Sequence, residues 1–392
     1  MRRRIRKKKE SRVIPYRAIL IGIVLSLFLG YVIYFLISFL TIRSIDRSGE
    51  NLSSKYLLTE DSKDSKKTLV MVESGYDNDR KISDTFLLIT NTSKGKSLLI
   101  YIPGWLYYKG LEENFGNAIP ISSFRYAGDT LQEGRGIEYA VWQIGQVLGL
   151  KFNNYIYLSS EATDTLEDVY GFEKYPPDRY IDMYNEKFSD SFYNLNSISS
   201  GVSILKSIFN PQKIRGLDLN IYSNLNFVNV FGFLIGINNT LKSTDAYGID
   251  MSSYIYSEEK FVDTGGQRRY VDTKKFDEYY RSFTSSLLDK ELEKERVRIE
   301  VYNGSGVAGA AMELGRKLEN AGCDVVRYEN APDVQDKTLL YISNKEDFPK
   351  SLSVVSSILS DYYVLLEGRP SFMTTGDIVI IIGEDLKLMY GF

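Results

Sequence analysis

The chain of 392 residues contains no histidine, so the commonest general base and metal ligand is absent from every part of it. Ser-His-Asp triads, Cys-His pairs and zinc sites with histidine ligands are therefore excluded. Any catalytic chemistry must use carboxylates, hydroxyls, lysine or arginine. The single cysteine, Cys323, cannot form an intramolecular disulfide, and no cationic residue beside it in the sequence would activate the thiol, so we interpret it as a small core residue.

Three glycines, Gly304, Gly306 and Gly309, form a G-x-G-x-x-G motif between a predicted strand and a predicted helix, and Glu329 ends the next strand. In a dinucleotide-binding domain such glycines let the backbone approach a pyrophosphate, and the acid binds a ribose. The predicted domain around this motif is too short for two mononucleotide-binding halves. We therefore favour a tight strand-to-helix turn and keep a dinucleotide-binding module as the minor alternative.

The N-terminus combines a basic segment with an apolar one. Residues 1–17 carry nine basic side chains and one acidic side chain, whereas residues 18–42 carry no charge at all. An uncharged apolar stretch of this length predicts a transmembrane helix. It is too long for the apolar region of a signal peptide and has no small-residue cleavage site. Because basic residues stay in the cytoplasm, we expect residues 1–17 to be a cytoplasmic tail that binds no nucleic acid, with the remainder extracytoplasmic.

The exposed part is predicted to be α/β. Residues 43–67 are polar and serine-rich and predict a linker that lifts the rest off the membrane. Residues 68–290 contain continuous apolar runs typical of strands covered on both faces, and an amphipathic helix that Gly149 ends. They predict a larger, sandwich-like α/β domain. Residues 296–385 predict a small α/β domain with the order βαββαββ.

The small domain resembles the C-terminal domain of the LytR-CpsA-Psr family. In that family a V-x-N-G-[ST]-G-x-x-G-x-A run opens the domain and a V-x-[LI]-G-x-D run closes it. The residues at the matching positions are Val301, Asn303, Gly304, Gly306, Gly309, Ala311, Gly383 and Asp385. The domain has no established catalytic role in the family, so the resemblance implies an accessory or interaction function.

The larger domain resembles the catalytic domain of the same family in the order of its segments. The resemblance implies transfer of a phosphoglycan from a polyprenyl-pyrophosphate carrier to the cell wall. In active members this reaction uses carboxylates that hold Mg²⁺ and arginines that bind the phosphates, since both neutralise the charge of the transferred phosphoryl group. The membrane, a polyprenyl-phosphate lipid, a cell-wall glycan and an envelope protein are thus the implied partners.

Few of the family's charged residues stand at matching positions. In the family's R-x-D-T motif, Asp84 matches the aspartate and is the candidate catalytic and metal-binding residue. Ile82 stands two positions earlier, in place of the arginine. In the P-R-D motif, Gly104 and Trp105 replace the arginine and the aspartate. Arg125 is the candidate ligand-binding arginine.

These replacements predict a larger domain that binds or scaffolds without efficient transfer. The leading hypothesis is therefore a single-pass envelope protein with a degenerate LytR-CpsA-Psr domain that binds a polyprenyl-linked or glycan ligand. The alternative is a working phosphotransferase that uses Asp84, Mg²⁺ and relocated arginines such as Arg125. No cofactor is expected unless the domain is active.

Overall fold

The computed structural model describes residues 16–42, 56–58, 65–73, 81–110, 119–170, 204–260, 267–287, 290–360 and 362–386. It opens with helix α1 (Tyr16–Leu40), whose 25 residues are almost all exposed and apolar. At 1.5 Å per residue the helix is about 37 Å long, enough to cross a hydrocarbon core of about 30 Å. This helix is consistent with the predicted membrane anchor.

The larger domain contains a six-stranded sheet with helices on both faces. Its strands are β1 (Ser65–Glu73), β2 (Ile82–Asn91), β3 (Lys96–Pro103), β4 (Asn154–Leu158), β5 (Ile221–Ser223) and β6 (Asp245–Asp250). A separate hairpin pairs β7 (Ile255–Lys260) with β8 (Gln267–Val271). The helices are α2 (Phe124–Leu131), α3 (Gly136–Leu148), α4 (Ser160–Tyr170), α5 (Ile204–Phe209), α6 (Pro211–Arg215), α7 (Phe227–Ser243), α8 (Thr273–Leu287) and α9 (Lys290–Glu295).

The order of the strands in the sheet is β5-β4-β1-β2-β3-β6. Alternate residues of β1 enter two different cores, since successive side chains of a strand point to opposite faces. Leu69 and Met71 pack under α2, α3 and α8 in the first core, and Val70 and Val72 pack under α4, α6 and α7 in the second core. Burial on both faces explains the continuous apolar runs of these strands.

The segment before β1 differs from the predicted linker. Tyr56 and Leu57 are buried in the first core, and the Leu58 amide donates to the Phe152 carbonyl at 2.7 Å. Strand β1 begins at Ser65, inside the range predicted as linker. Residues 56–58 are therefore attached to the larger domain, and the polar composition around them concealed two buried side chains. Residues 43–55 and 59–64 lie outside the described residues.

The small domain has a five-stranded sheet of order β10-β9-β13-β11-β12. Helices α10 and α11 cover one face and enclose a core of their own. The elements are β9 (Arg298–Asn303), α10 (Ala310–Asn320), β10 (Asp324–Asn330), β11 (Leu339–Ile342), α11 (Pro349–Leu359), β12 (Val364–Glu367) and β13 (Ile378–Ile382). The predicted fold class is confirmed: an apolar N-terminal helix precedes a larger α/β domain and a small α/β domain of order βαββαββ.

Buried polar contacts join the two domains. Arg316 on α10 donates to the carbonyls of Gln146 and Val147, at the end of α3, at 2.7 and 2.8 Å. In the opposite direction, Lys151 of the larger domain donates to the Ser357 carbonyl at 3.1 Å, near the end of α11. The last carbonyls of a helix have no partner within it and carry partial negative charge, so each cation satisfies and neutralises a helix end of the other domain.

Candidate functional site

The first sequence-predicted site residue, Asp84, lies near the start of β2, opposite the ends of β1 and β3. Its side chain is only 4% exposed, and its Oδ1 accepts a hydrogen bond from the Tyr101 hydroxyl on β3 at 3.1 Å. Asp84 is opposite Val72 in the register of β1 and β2, so it shares the face of the second core. Antiparallel pairing of β2 with β3 brings this carboxylate and Tyr101 together.

The second predicted residue, Arg125, lies on α2 and is buried. Its terminal Nη1 donates to Glu73 Oε2 at 3.0 Å and to the Tyr157 hydroxyl at 2.8 Å. The guanidinium carbon is also 4.7 Å from the centre of the Tyr157 ring, within the range of a cation–π contact. Glu73 Oε2 also accepts a hydrogen bond from the Ser160 amide at the start of α4, at 3.0 Å. The end of β1, α2, β4 and α4 therefore meet at one ion pair.

This ion pair determines the electrostatics of the cluster. Burial disfavours the charged guanidinium, yet Tyr157 and Glu73 more than compensate and raise the pKa of Arg125 above its ordinary value. Burial likewise raises the pKa of Tyr157. Arg125 thus stays charged and Tyr157 stays protonated at neutral pH. Because Glu73 already neutralises Arg125, recruiting this arginine for a phosphate would require exchanging a buried partner.

The two predicted site residues lie on opposite faces of the sheet. Glu73, which binds Arg125, is opposite Ile82 in the β1–β2 register, and Ile82 belongs to the first core. Asp84 faces the second core. An irregularity between Val72 and Glu73 marks the point where the pairing shifts. By register, Asp84 and the Glu73 that binds Arg125 therefore point to opposite faces near the same end of the strands.

A magnesium site around Asp84 would need further oxygen ligands, since Mg²⁺ favours six-coordinate geometry and one or more carboxylates. Among the residues that the structure describes, no group of three or more Asp, Glu, Cys or His side chains could hold a metal ion. The described side chains thus give Mg²⁺ no carboxylate cluster.

The loop after β3 carries the two replaced positions of the P-R-D motif. A Cβ atom on Gly104 would lie 2.5 Å from the Ile82 carbonyl oxygen and 3.1 Å from that of Ser83. Real Cβ contacts are not that short, so the backbone of this loop has no room for a side chain at position 104. The next residue, Trp105, is half-buried, and its ring is 5.7 Å from the Arg269 guanidinium.

Several polar residues of this region were not predicted from the sequence. Glu73 and Tyr157 hold Arg125, and Tyr101 binds Asp84. On strand β8, Arg269 and its neighbour Arg268 lie over the rings of Trp105 and Tyr107. The two adjacent arginines of the QRRY sequence are visible in the sequence as a pair of cations. Only the fold shows that they approach the loop after β3.

The glycine motif of the small domain forms a strand-to-helix turn. Gly306 and Gly309 have φ angles of 73° and 83°, a conformation that favours glycine. The Asn303 side chain accepts from the Ser305 amide at 3.1 Å and donates to the Val307 carbonyl at 2.8 Å. The polar groups of the Asn303 side chain thus pair with backbone groups of the loop itself. This pairing supports a structural turn over dinucleotide binding. Glu329 is exposed on β10, at the edge of the sheet.

Comparison with known proteins identifies the small domain. Residues 296–386 match the family described as LytR cell envelope-related transcriptional attenuator. The predicted resemblance is thereby confirmed for this domain, and an envelope-related role follows from the family description. No curated protein sequence matches the chain.

Solved structures similar to the chain include TagT and TagU of Bacillus subtilis. TagT is 13% identical, with 63% of this chain and 97% of TagT covered and a TM-score of 0.35. TagU is 12% identical, with 57% of this chain and 98% of TagU covered and a TM-score of 0.36. A third structure is the LytR-CPS2A-psr family protein YwtF (TagT) with bound octaprenyl pyrophosphate lipid, at 13% identity, 62% and 98% coverage and a TM-score of 0.36.

Proposed function

We propose that this chain, which carries a LytR-type C-terminal domain at residues 296–386, is a membrane-anchored envelope protein whose larger domain binds a polyprenyl-linked or glycan ligand, or scaffolds envelope assembly, without transferring phosphoryl groups. Residues 1–17 are cytoplasmic in this proposal and the two α/β domains are extracytoplasmic, in accord with the charge pattern around α1.

The observation that carries the proposal is the separation of Asp84 from Arg125. Phosphoryl transfer needs cationic groups on the same phosphate as the catalytic carboxylate and its metal ion. Here Arg125 is on the other face of the sheet and is already neutralised by Glu73 at 3.0 Å. The closely packed Gly104 adds support, since the loop after β3 leaves no space for a phosphate-binding side chain at that position.

Binding without turnover would distinguish this function from the enzyme. The full chain is purified in detergent and mixed with octaprenyl phosphate, and the bound lipid is measured by native mass spectrometry. We expect a complex in the wild type that survives in Asp84→Asn, because binding of the lipid in this proposal does not depend on a metal held by that carboxylate. Absence of any lipid or glycan complex would remove the binding function and leave only scaffolding.

A working phosphotransferase is the second candidate. It is favoured by the buried carboxylate of Asp84 near the start of β2 and by Arg268 and Arg269, which approach the loop after β3 from strand β8. In this alternative the β8 arginines take the place of those missing from the D-T and P-R-D motifs. Substitution of both by glutamine would then abolish turnover while leaving Asp84 in place.

The membrane topology is tested with protease on spheroplasts that carry the full chain. We expect removal of both α/β domains and protection of a short fragment that contains the basic tail and α1. Protection of the domains would contradict the envelope location.

A further inference from the structure

The end of helix α1 packs against the larger domain. Phe39 contacts Phe227 and Phe231 of α7, with ring centres 5.4 and 5.0 Å apart. Phe35 and Ile42, one turn to either side, are each only 5% exposed. The described end of α1 therefore packs directly on α7 of the larger domain.

A second contact, nearer the middle of α1, fixes the position of α5 along the axis of the span. The Tyr31 hydroxyl donates to the Ile208 carbonyl at 2.6 Å. A span of about 20 residues counted from Arg17 ends near Leu36, so Tyr31 lies about five residues, or roughly 7 Å, inside that boundary. Helix α5 therefore lies at the level of the outer leaflet, beside the span.

The outward face of α5 is apolar. Leu205 and Phe209, four residues apart and hence on one side of the helix, are 70% and 75% exposed. The opposite side is fixed to the domain, because the buried Ser207 hydroxyl forms a 2.6 Å hydrogen bond with the Tyr170 hydroxyl. The domain therefore holds two large apolar side chains away from its own core.

Basic residues accompany this apolar face. Lys206 on α5 donates to the Tyr170 carbonyl at 2.7 Å. Lys213 on α6 is 48% exposed and pairs with Asp168, and Arg215 is exposed at the end of α6. Apolar side chains flanked by lysine and arginine are typical of segments that lie in the interface of a bilayer with anionic lipids.

We propose that Leu205 and Phe209 of α5 insert into the outer leaflet of the phospholipid bilayer, so that the larger domain rests on the membrane instead of being lifted off it by a linker. The inference rests on the membrane anchoring included in the proposed function. The bilayer is favoured as the occupant because the apolar face continues directly from α1 through the Tyr31–Ile208 contact.

The test measures the depth of labels on the full chain in vesicles. In a Cys323→Ser background, Leu205→Cys and Phe209→Cys are each labelled with an environment-sensitive fluorophore and reconstituted into phosphatidylcholine and phosphatidylglycerol vesicles. Met312→Cys serves as the matched control, because Met312 is 64% exposed on α10 of the small domain. Quenching is compared between lipids that carry nitroxides on the acyl chain and aqueous iodide.

For Leu205→Cys and Phe209→Cys we expect acyl-chain nitroxide quenching at least about threefold stronger than for Met312→Cys, as for an interfacial helix, with weaker iodide quenching. Chains that float with the vesicles but show equal quenching at all three positions would contradict the inference and leave the anchor intact. Shielding from both quenchers that grows with protein density would assign the face to a second copy and also contradict it. Failure to float would contradict the anchor itself, and the inference with it.

Discussion

The guanidinium of Arg316 and the carboxylate of Asp277 form a bidentate ion pair across the domain interface, with distances of 2.5 Å from Nε to Oδ2 and 3.1 Å from Nη2 to Oδ1. Both side chains are buried. Asn320 adds hydrogen bonds to Asp277 Oδ1 at 2.9 Å and to the Leu148 carbonyl at 3.1 Å. The small domain thus completes the end of α3, and a Cβ on Gly149 would lie 2.8 Å from the Asn320 side chain.

Removal of this cation should destabilise the larger domain as well as the interface. Arg316→Ala leaves Asp277 as a buried, unpaired charge and leaves the α3 carbonyls without a donor, which costs about 3–5 kcal/mol. Thermal unfolding of the detergent-solubilised chain, followed by tryptophan fluorescence, should show an earlier transition that includes Trp142 of α3. The control Arg369→Ala removes an exposed arginine of the same domain and should change little. Equal effects of the two substitutions would contradict the capping role.

Lys317, next to Arg316, predicts a pH dependence. Burial lowers the pKa of Lys317 to about 8 in the folded chain, against about 10.4 in the unfolded chain. Between these values the unfolded state binds more protons, so stability rises with pH across this window. Lys317→Met removes the cost of burying the charge, so the variant should be up to about 3 kcal/mol more stable than the wild type below pH 8. This difference should fall below about 1 kcal/mol by pH 10. Melting curves from pH 7 to 10 for wild type, Lys317→Met and the exposed control Lys345→Met measure this, and a constant difference would contradict it.

The Glu73–Arg125 pair should behave as one energetic unit. Glu73→Gln or Arg125→Met each leaves a buried charge without its partner and should cost about 3–5 kcal/mol. The double substitution removes both charges and should cost clearly less than the sum of the single ones. Additive effects in this double-mutant cycle would show that the two charges are not coupled, and would reopen the predicted role of Arg125 in ligand binding.

Restoring the family arginine at position 104 should not restore a phosphate site. Gly104→Ala and Gly104→Arg both place a Cβ against the Ile82 carbonyl, so each should lower the melting temperature. Gly216→Ala is the control, because no heavy atom lies within 4 Å of its added Cβ and its φ is −65°. A Gly104→Arg variant that keeps full stability and gains phosphate affinity would show that the loop can rearrange.

The elements of the small domain were predictable because each is short, regular and bounded by turn residues. The order βαββαββ predicted for residues 296–385 is the observed order, from β9 at Arg298–Asn303 through α11 at Pro349–Leu359 to β13 at Ile378–Ile382. Periodicity is a local property, so it indicates elements and not their order in a sheet. The order β10-β9-β13-β11-β12 required the structure.

The partners of the candidate site could not be predicted, because they are distant in the sequence. Glu73 and Arg125 are 52 residues apart, and Arg316 and Asp277 are 39 apart. Whether Asp84 and Arg125 share a face depends on the irregularity in the β1–β2 pairing, which hydrophobic patterning does not reveal. The burial of residues 56–58 could not be predicted for another reason, because two apolar side chains in a polar segment are too few to indicate it.

The central claim, a larger domain that binds without transferring, is tested most directly by turnover. The purified full chain is incubated with a polyprenyl-pyrophosphate-linked saccharide and an acceptor glycan, with and without Mg²⁺, beside Asp84→Asn, and transferred saccharide is measured by mass spectrometry. We predict no transfer by the wild type above the level of Asp84→Asn, with or without Mg²⁺. Magnesium-dependent transfer by the wild type that Asp84→Asn abolishes would contradict the account and identify the domain as an active phosphotransferase.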